Sequence, residues 1–231
     1  MEQEIKNAME NIDKAESEAA EQLVQAAEEP GTNKTTKRGV ITFSRPYLFE
    51  KTEYTEIDLS GVEALTVQDV VDAQREVFNE KETAAMTVCE TTTAFTRKLA
   101  SRASGLPIEF FKLAPRRISR RVVATVHAYL NGREKTENHV MRLEKPYQFK
   151  GKTYTEIDLN GVADLNSMNE SEAENRIARA GFIVTETSFN YLYICILASM
   201  ATGLPEEFFT GLPLCEAAKL KNAVNDDDFF E

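Results

Sequence analysis

Two histidines, three cysteines and a surplus of carboxylates are the side chains here best suited to chemistry. His127 and His139 stand in no motif that pairs a Ser or Cys nucleophile with a base. Cys89, Cys195 and Cys215 are odd in number and widely separated. They match neither a disulfide framework nor a zinc spacing, which indicates a reducing compartment. The chain carries no glycine-rich phosphate loop and no His/Cys metal cluster. Glu56 with Asp58, and Glu156 with Asp158, stand two apart on a predicted strand and face solvent by default. The run Asp226–Asp228 lacks the spaced oxygen ligands and loop glycine of a calcium motif, and reads as a solvated tail. No catalytic, cofactor-binding or metal residue is assigned, and the expected function is non-enzymatic.

Residues suited to gripping a partner are easier to find. Tyr54 and Tyr154 alternate with carboxylates on their strands, which places them on the more solvated face. Each is either a cross-strand packing tyrosine or an exposed contact anchor. Arg116, Arg117, Arg120 and Arg121 share one face of a predicted helix. That cluster is a solvated face, a partner for the chain's own acidic arm, or a dock for an acidic segment of another protein. Phe229 and Phe230 follow the Asp run and complete the candidate partner-binding set.

The elements that position these residues occur twice. Pro46 to Val62 and Pro146 to Val162 share Pro-Tyr-x-Phe, then Tyr-Thr-Glu-Ile-Asp-Leu-x-Gly-Val, at an offset of one hundred. Leu99-Ala-Ser-Arg-Ala-Ser-Gly-Leu-Pro-Ile-Glu-Phe-Phe111 returns as Leu197-Ala-Ser-Met-Ala-Thr-Gly-Leu-Pro-Glu-Glu-Phe-Phe209, at an offset of ninety-eight. Two matched blocks in one order mark a duplicated unit. The period suits two copies of a small domain rather than a solenoid. The predicted boundaries are an acidic arm and linker at 1–38, a first unit at 39–131, a linker at 132–139 and a second unit at 140–231.

Each unit reads as a β-hairpin followed by helices. Lys150-Gly151 suits a tight hairpin turn, whereas Glu50-Lys51 predicts a longer or more strained one. On the returning strand Ile57 and Leu59 point to the core. Thr66 and Asp69 form a capping box, with Leu65 and Val70 as its hydrophobic staple, and Ser167 with Glu170 offers a box in the second unit. A helix to about Phe78 buries Val70, Ala73 and Val77. A longer helix runs from about Ala84 to Ser104, with Thr91–Thr93 lowering its propensity without breaking it. Its counterpart runs from about Glu186 to Thr202. Gly105 and Gly203 supply left-handed helix ends, Pro107 and Pro205 start the next turns, and Phe110, Phe111, Phe208 and Phe209 are core. Pro115 and Pro213 start the last helices. The fold class is α+β: two tandem hairpin-plus-helices units, helix-dominated, behind a helical or disordered acidic arm.

Composition sets the outer bounds. With 27 Lys and Arg against 38 Asp and Glu, the net charge is −11. That argues against nucleic-acid binding, which needs a basic footprint. A hydrophobic fraction of 42% suffices for packed cores, each modest in a unit of this size. The N-terminus has no basic-then-apolar signal pattern and no apolar run is long enough for a membrane span. A soluble cytoplasmic protein is expected.

The repeated blocks extend this reading. Pro-Tyr-x-Phe-x-Gly-Lys-x-Tyr-Thr-Glu-Ile-Asp-Leu, Ala-x-x-Thr-Gly-Leu-Pro-x-Glu-Phe-Phe, and Leu-Pro-x-x-Glu-Ala-x-x-Leu-x-Asn-x-Val with a terminal Phe-Phe resemble the tail assembly chaperones of long-tailed phages and prophages. Val140 to Glu231 resembles a whole family member. The first unit resembles it up to Phe111, where Arg116–Arg121 replaces the acidic-aliphatic start of the last helix. The resemblance implies an assembly factor in the host cytoplasm. Such a factor coats the tape-measure protein, helps recruit major tail protein subunits to the tube, and leaves before the tail is finished. Self-association is open. The alternative is a structural minor tail or head–tail joining protein of the virion.

Overall fold

The computed structural model describes residues 38–80, 89–131, 139–182 and 187–226. Residues 1–37 of the arm and linker expected at 1–38, most of the linker at 132–139, the expected helix start at Glu186, Asp227 and Asp228 of the acidic run, and Phe229 and Phe230 lie outside the described residues. Within them the first unit runs β1 (Val40–Phe49), β2 (Thr52–Asp58), α1 (Val67–Asn79), α2 (Thr93–Ser104), α3 (Ile108–Leu113) and α4 (Arg116–Leu130). The second runs β3 (Val140–Phe149), β4 (Lys152–Asp158), α5 (Ser167–Arg179), α6 (Tyr191–Thr202), α7 (Glu206–Thr210) and α8 (Ala217–Val224). Short 3-10 turns precede α1, α2, α5, α6 and α8. The architecture is the expected helix-dominated α+β, with two separate two-stranded antiparallel sheets.

Both hairpins close through two-residue turns, because Phe49 pairs with Thr52 and Phe149 with Lys152. The first turn is therefore no longer than the second. It is the more strained one: Glu50 and Lys51 both hold positive φ, 46° and 69°, where the second turn has Lys150 and Gly151. Each first strand carries a wide bulge. Pairing jumps from Thr42–Glu56 to Tyr47–Tyr54, and from Arg142–Glu156 to Tyr147–Tyr154. A bulge twists the ladder and re-aims the side chains beyond it. Ile57 and Leu59 are buried as expected, but strict alternation does not carry through to Tyr54.

The helices start and stop for local reasons. Thr66 and Asp69 make the capping box of α1. In α5 the box is Asn166 with Asn169, one residue before the expected Ser167 and Glu170. Of the long helix expected from Ala84, residues 84–88 lie outside the described residues, and within them α2 starts only at Thr93, because Thr92 caps it: its hydroxyl accepts from Phe95 N at 3.3 Å. Asn190 caps α6 in the same way. A side chain that satisfies an orphan helix N–H outweighs the weak propensity of the threonine run. Gly105 and Gly203 end α2 and α6 at φ 70° and 69°, and Phe110, Phe111, Phe208 and Phe209 are buried. Gly61 and Gly161 lie so close to the Ala103 and Ala201 carbonyls that a Cβ would collide with them.

Gly39–Glu231 forms one compact unit, with one continuous cluster of buried residues drawn from both halves. The polar segment at 132–139 separates the repeats in sequence but not their cores.

Candidate interaction surfaces

Tyr54 is half-buried rather than solvated. Its ring meets Phe110 edge-on at 4.9 Å, beside Tyr47–Phe110 at 4.9 Å and Phe49–Phe110 at 5.3 Å. Tyr154 meets Phe208 at 4.7 Å, with Tyr147 and Phe149 at 5.3 and 5.2 Å. Such edge contacts contribute roughly 0.5–1.5 kcal/mol each beyond area burial. Each cluster pins a hairpin to the short helix after the Gly-Leu-Pro turn, and the strand bulge is what swings the tyrosine into it.

The four arginines divide in two. Arg117 donates to the Arg45 carbonyl at 3.0 Å, and Arg121 donates to the Thr42 carbonyl. Thr42 is the last paired residue before the bulge of β1, and Arg45 lies within it. In the second unit Lys219 takes the place of Arg121 and donates to the Arg142 carbonyl at 2.7 Å. Glu216 there accepts from Glu144 N at 2.7 Å and pairs with Lys219 at 2.6 Å, both side chains being almost fully buried. Arg116 and Arg120 are exposed and make no ion pair among the described residues. Half of the cluster thus holds the bulge, and half faces outward.

The seam between the halves has no counterpart in the sequence reading. Val67 N donates to the Leu212 carbonyl and Leu214 N to the Leu65 carbonyl, both at 2.9 Å, forming an antiparallel bridge of Thr66 with Pro213. Gln74 is 1% exposed. Its amide donates to the Phe189 carbonyl at 2.7 Å and accepts from Tyr191 N at 3.0 Å. Phe78 meets Phe182 edge-on at 5.6 Å. Glu90 accepts from the Tyr191 hydroxyl at 2.6 Å and pairs with Lys221. Burial and the Glu90 carboxylate push the Tyr191 hydroxyl well above its ordinary pKa, so it stays a donor. The signal for this seam was available: Val67 and Val71 of the first unit are Ser167 and Ser171 in the second, an asymmetry that a duplicated unit must explain.

Burial and nearby carboxylates push the Cys89 thiol up to about 12 and Cys215 to about 11, and burial raises Cys195 further. None is held as a reactive thiolate. No three His, Cys, Asp or Glu side chains gather for a metal among the described residues, and none of their helices is long and apolar enough to cross a membrane. No curated protein and no solved structure matches the chain. The second unit does match a family: residues 140–227 fit the model described as phage tail assembly chaperone proteins, E, or 41 or 14.

Proposed function

We propose that the chain is a non-enzymatic tail assembly chaperone that binds the tape-measure protein and helps recruit tail-tube subunits in the host cytoplasm. The match over 140–227 carries this reading, and it supports a role in phage tail assembly. The physics agrees. A long tape-measure protein exposes apolar surface until the tube encloses it, and exposed patches of that kind aggregate. A chaperone masks them reversibly, with many modest contacts, and two units in one chain gain avidity without new contacts. Arg116 and Arg120, exposed on α4, suit an acidic client segment better than Arg117 and Arg121, which already hold the bulge. Tyr54 and Tyr154, half-buried on their hairpins, serve the client by the part of each ring left uncovered; Phe229 and Phe230 complete the contact set.

The test is co-expression with the tape-measure protein of the same genome. The expected result is a rise in the soluble fraction of that protein and its co-purification with the chain. An unchanged soluble fraction with no co-purification would sink the reading. Mass spectrometry of finished particles adds a second check, since a chaperone is absent from them and a structural tail protein is retained.

A further inference from the structure

We propose that the outer edges of β2 and β4 are two equivalent docking sites for an extended basic segment of a partner protein, which adds to each hairpin as a third strand. This goes beyond the client reading and does not depend on it.

Each hairpin is a sheet of only two strands, so it has two edges. One is occupied. Arg117 and Arg121 bond backbone groups of β1, and Lys219 and Glu216 bond backbone groups of β3. The other edge is open. Leu59 N donates to the Gly39 carbonyl, and Leu159 N to the His139 carbonyl. Direction alternates along a regular strand, so Ile57 also bonds inward and the Glu56 amide turns away from β1. The Glu156 amide turns away from β3 in the same way. Neither glutamate makes a backbone bond outside its hairpin among the described residues. An unpaired edge of this kind accepts an extended peptide, whose main chain continues the ladder.

The repeat picks out one residue on that edge. Between α1 and α5 only Ala73 and Ala173 are identical, whereas Tyr-Thr-Glu-Ile-Asp-Leu is unchanged from 54–59 to 154–159. Packing accounts for most of the block. The tyrosines meet Phe110 and Phe208, and Ile57, Leu59, Ile157 and Leu159 are buried. Asp58 and Asp158 accept from the amides of Ser60 and Asn160. Threonine suits a strand by itself. Glutamate does not, yet both copies keep it. Glu56 and Glu156 are exposed, and their carboxylates make no hydrogen bond or ion pair among the described residues. Their neighbours across the hairpin differ, Thr42 in one unit and Arg142 in the other, so cross-strand pairing does not explain them. What the two positions share is an open edge.

Charge names the occupant. Glu56 and Asp58 stand two apart on one side of β2, as do Glu156 and Asp158 on β4. A strand laid against either edge sets alternate side chains opposite them, so Lys or Arg at every second position gives favourable pairs. The same edge of a second copy would set carboxylate against carboxylate, which disfavours pairing between chains.

Titration of the full chain with a blocked peptide tests this by NMR and calorimetry. The peptide alternates Lys with Thr or Val and is as long as β2, seven residues. Two peptides bind per chain, each with a dissociation constant of about 1 mM or tighter, and added salt weakens both. The amides of Glu56 and Glu156 shift and exchange more slowly with solvent. Glu56→Thr weakens one site by at least about tenfold and leaves the other, and Glu156→Thr does the converse. Both positions are exposed and threonine is at home in a strand, so neither unfolding midpoint falls. A peptide of the same charge, N-methylated at alternate amides so that it cannot join a ladder, binds at least about tenfold more weakly. Equal binding of that peptide overturns the proposal, because the contact is then charge alone. No response of the β2 and β4 amides at about 5 mM peptide overturns it as well. So does peptide binding that survives both threonine variants while those variants associate with themselves, since the glutamates then serve only to keep edges apart.

Discussion

Lys51 and Gly151 occupy the same turn position, at φ 69° and 80°, and only the lysine has a Cβ to accommodate there. A left-handed residue with a side chain is disfavoured by roughly 1–2 kcal/mol, part of which glycine loses again to unfolded-chain entropy. Lys51→Gly is therefore expected to stabilise the chain by about 1 kcal/mol, read as a rise of roughly 2–4 °C in melting temperature. Gly151→Lys should cost a similar amount. His127 gives a prediction in pH. Burial holds its pKa below the ordinary histidine value, against the opposing pull of the Glu90 charge and a hydrogen bond with the Glu90 backbone. The unfolded chain thus takes up this proton first on acidification. The stability it contributes is complete above about pH 6.5 and falls as pH drops from there through the folded pKa. Urea midpoints measured across that window should fall less in His127→Gln than in the wild type.

At the scale of elements, the helix starts are where prediction and structure part. A threonine run and an asparagine read as mid-helix residues when only propensity is weighed. Thr92 and Asn190 instead cap new helices, each bonding the backbone N–H three residues on. Asn190→Ala and Thr92→Ala are each expected to cost about 1 kcal/mol in chemical unfolding. The hairpins, the left-handed glycines ending α2 and α6, and the buried phenylalanine pairs were legible, because each follows from one residue's backbone or burial preference. The tyrosine faces were not, because a strand's alternation predicts them only where the ladder is regular. The bulge between Thr42 and Tyr47 breaks that rule, and it also gives Arg117 and Arg121 their work. The charge cluster was visible in sequence, but its division was not, since the carbonyls at a bulge leave no mark on residue types.

For the whole molecule, the seam decides how the protein behaves as one body. Gln74→Ala removes the partner of both the Phe189 carbonyl and the Tyr191 amide. A buried backbone group left unpaired costs roughly 1–3 kcal/mol, so the variant should be destabilised by that order. The shared core also predicts one unfolding transition, with the hairpin and helix signals of both units coincident in urea. Two separated transitions would mean that the halves fold independently.

The bridge of Thr66 with Pro213 has a further consequence during synthesis. Its two residues lie near opposite ends of the described chain, and a ribosome adds about 5–20 residues per second. Val67 therefore waits on the order of 7–30 s for the segment that its amide bonds. Throughout that interval the nascent first half displays a sticky helix, open to chaperones or to a neighbouring nascent chain on the same message.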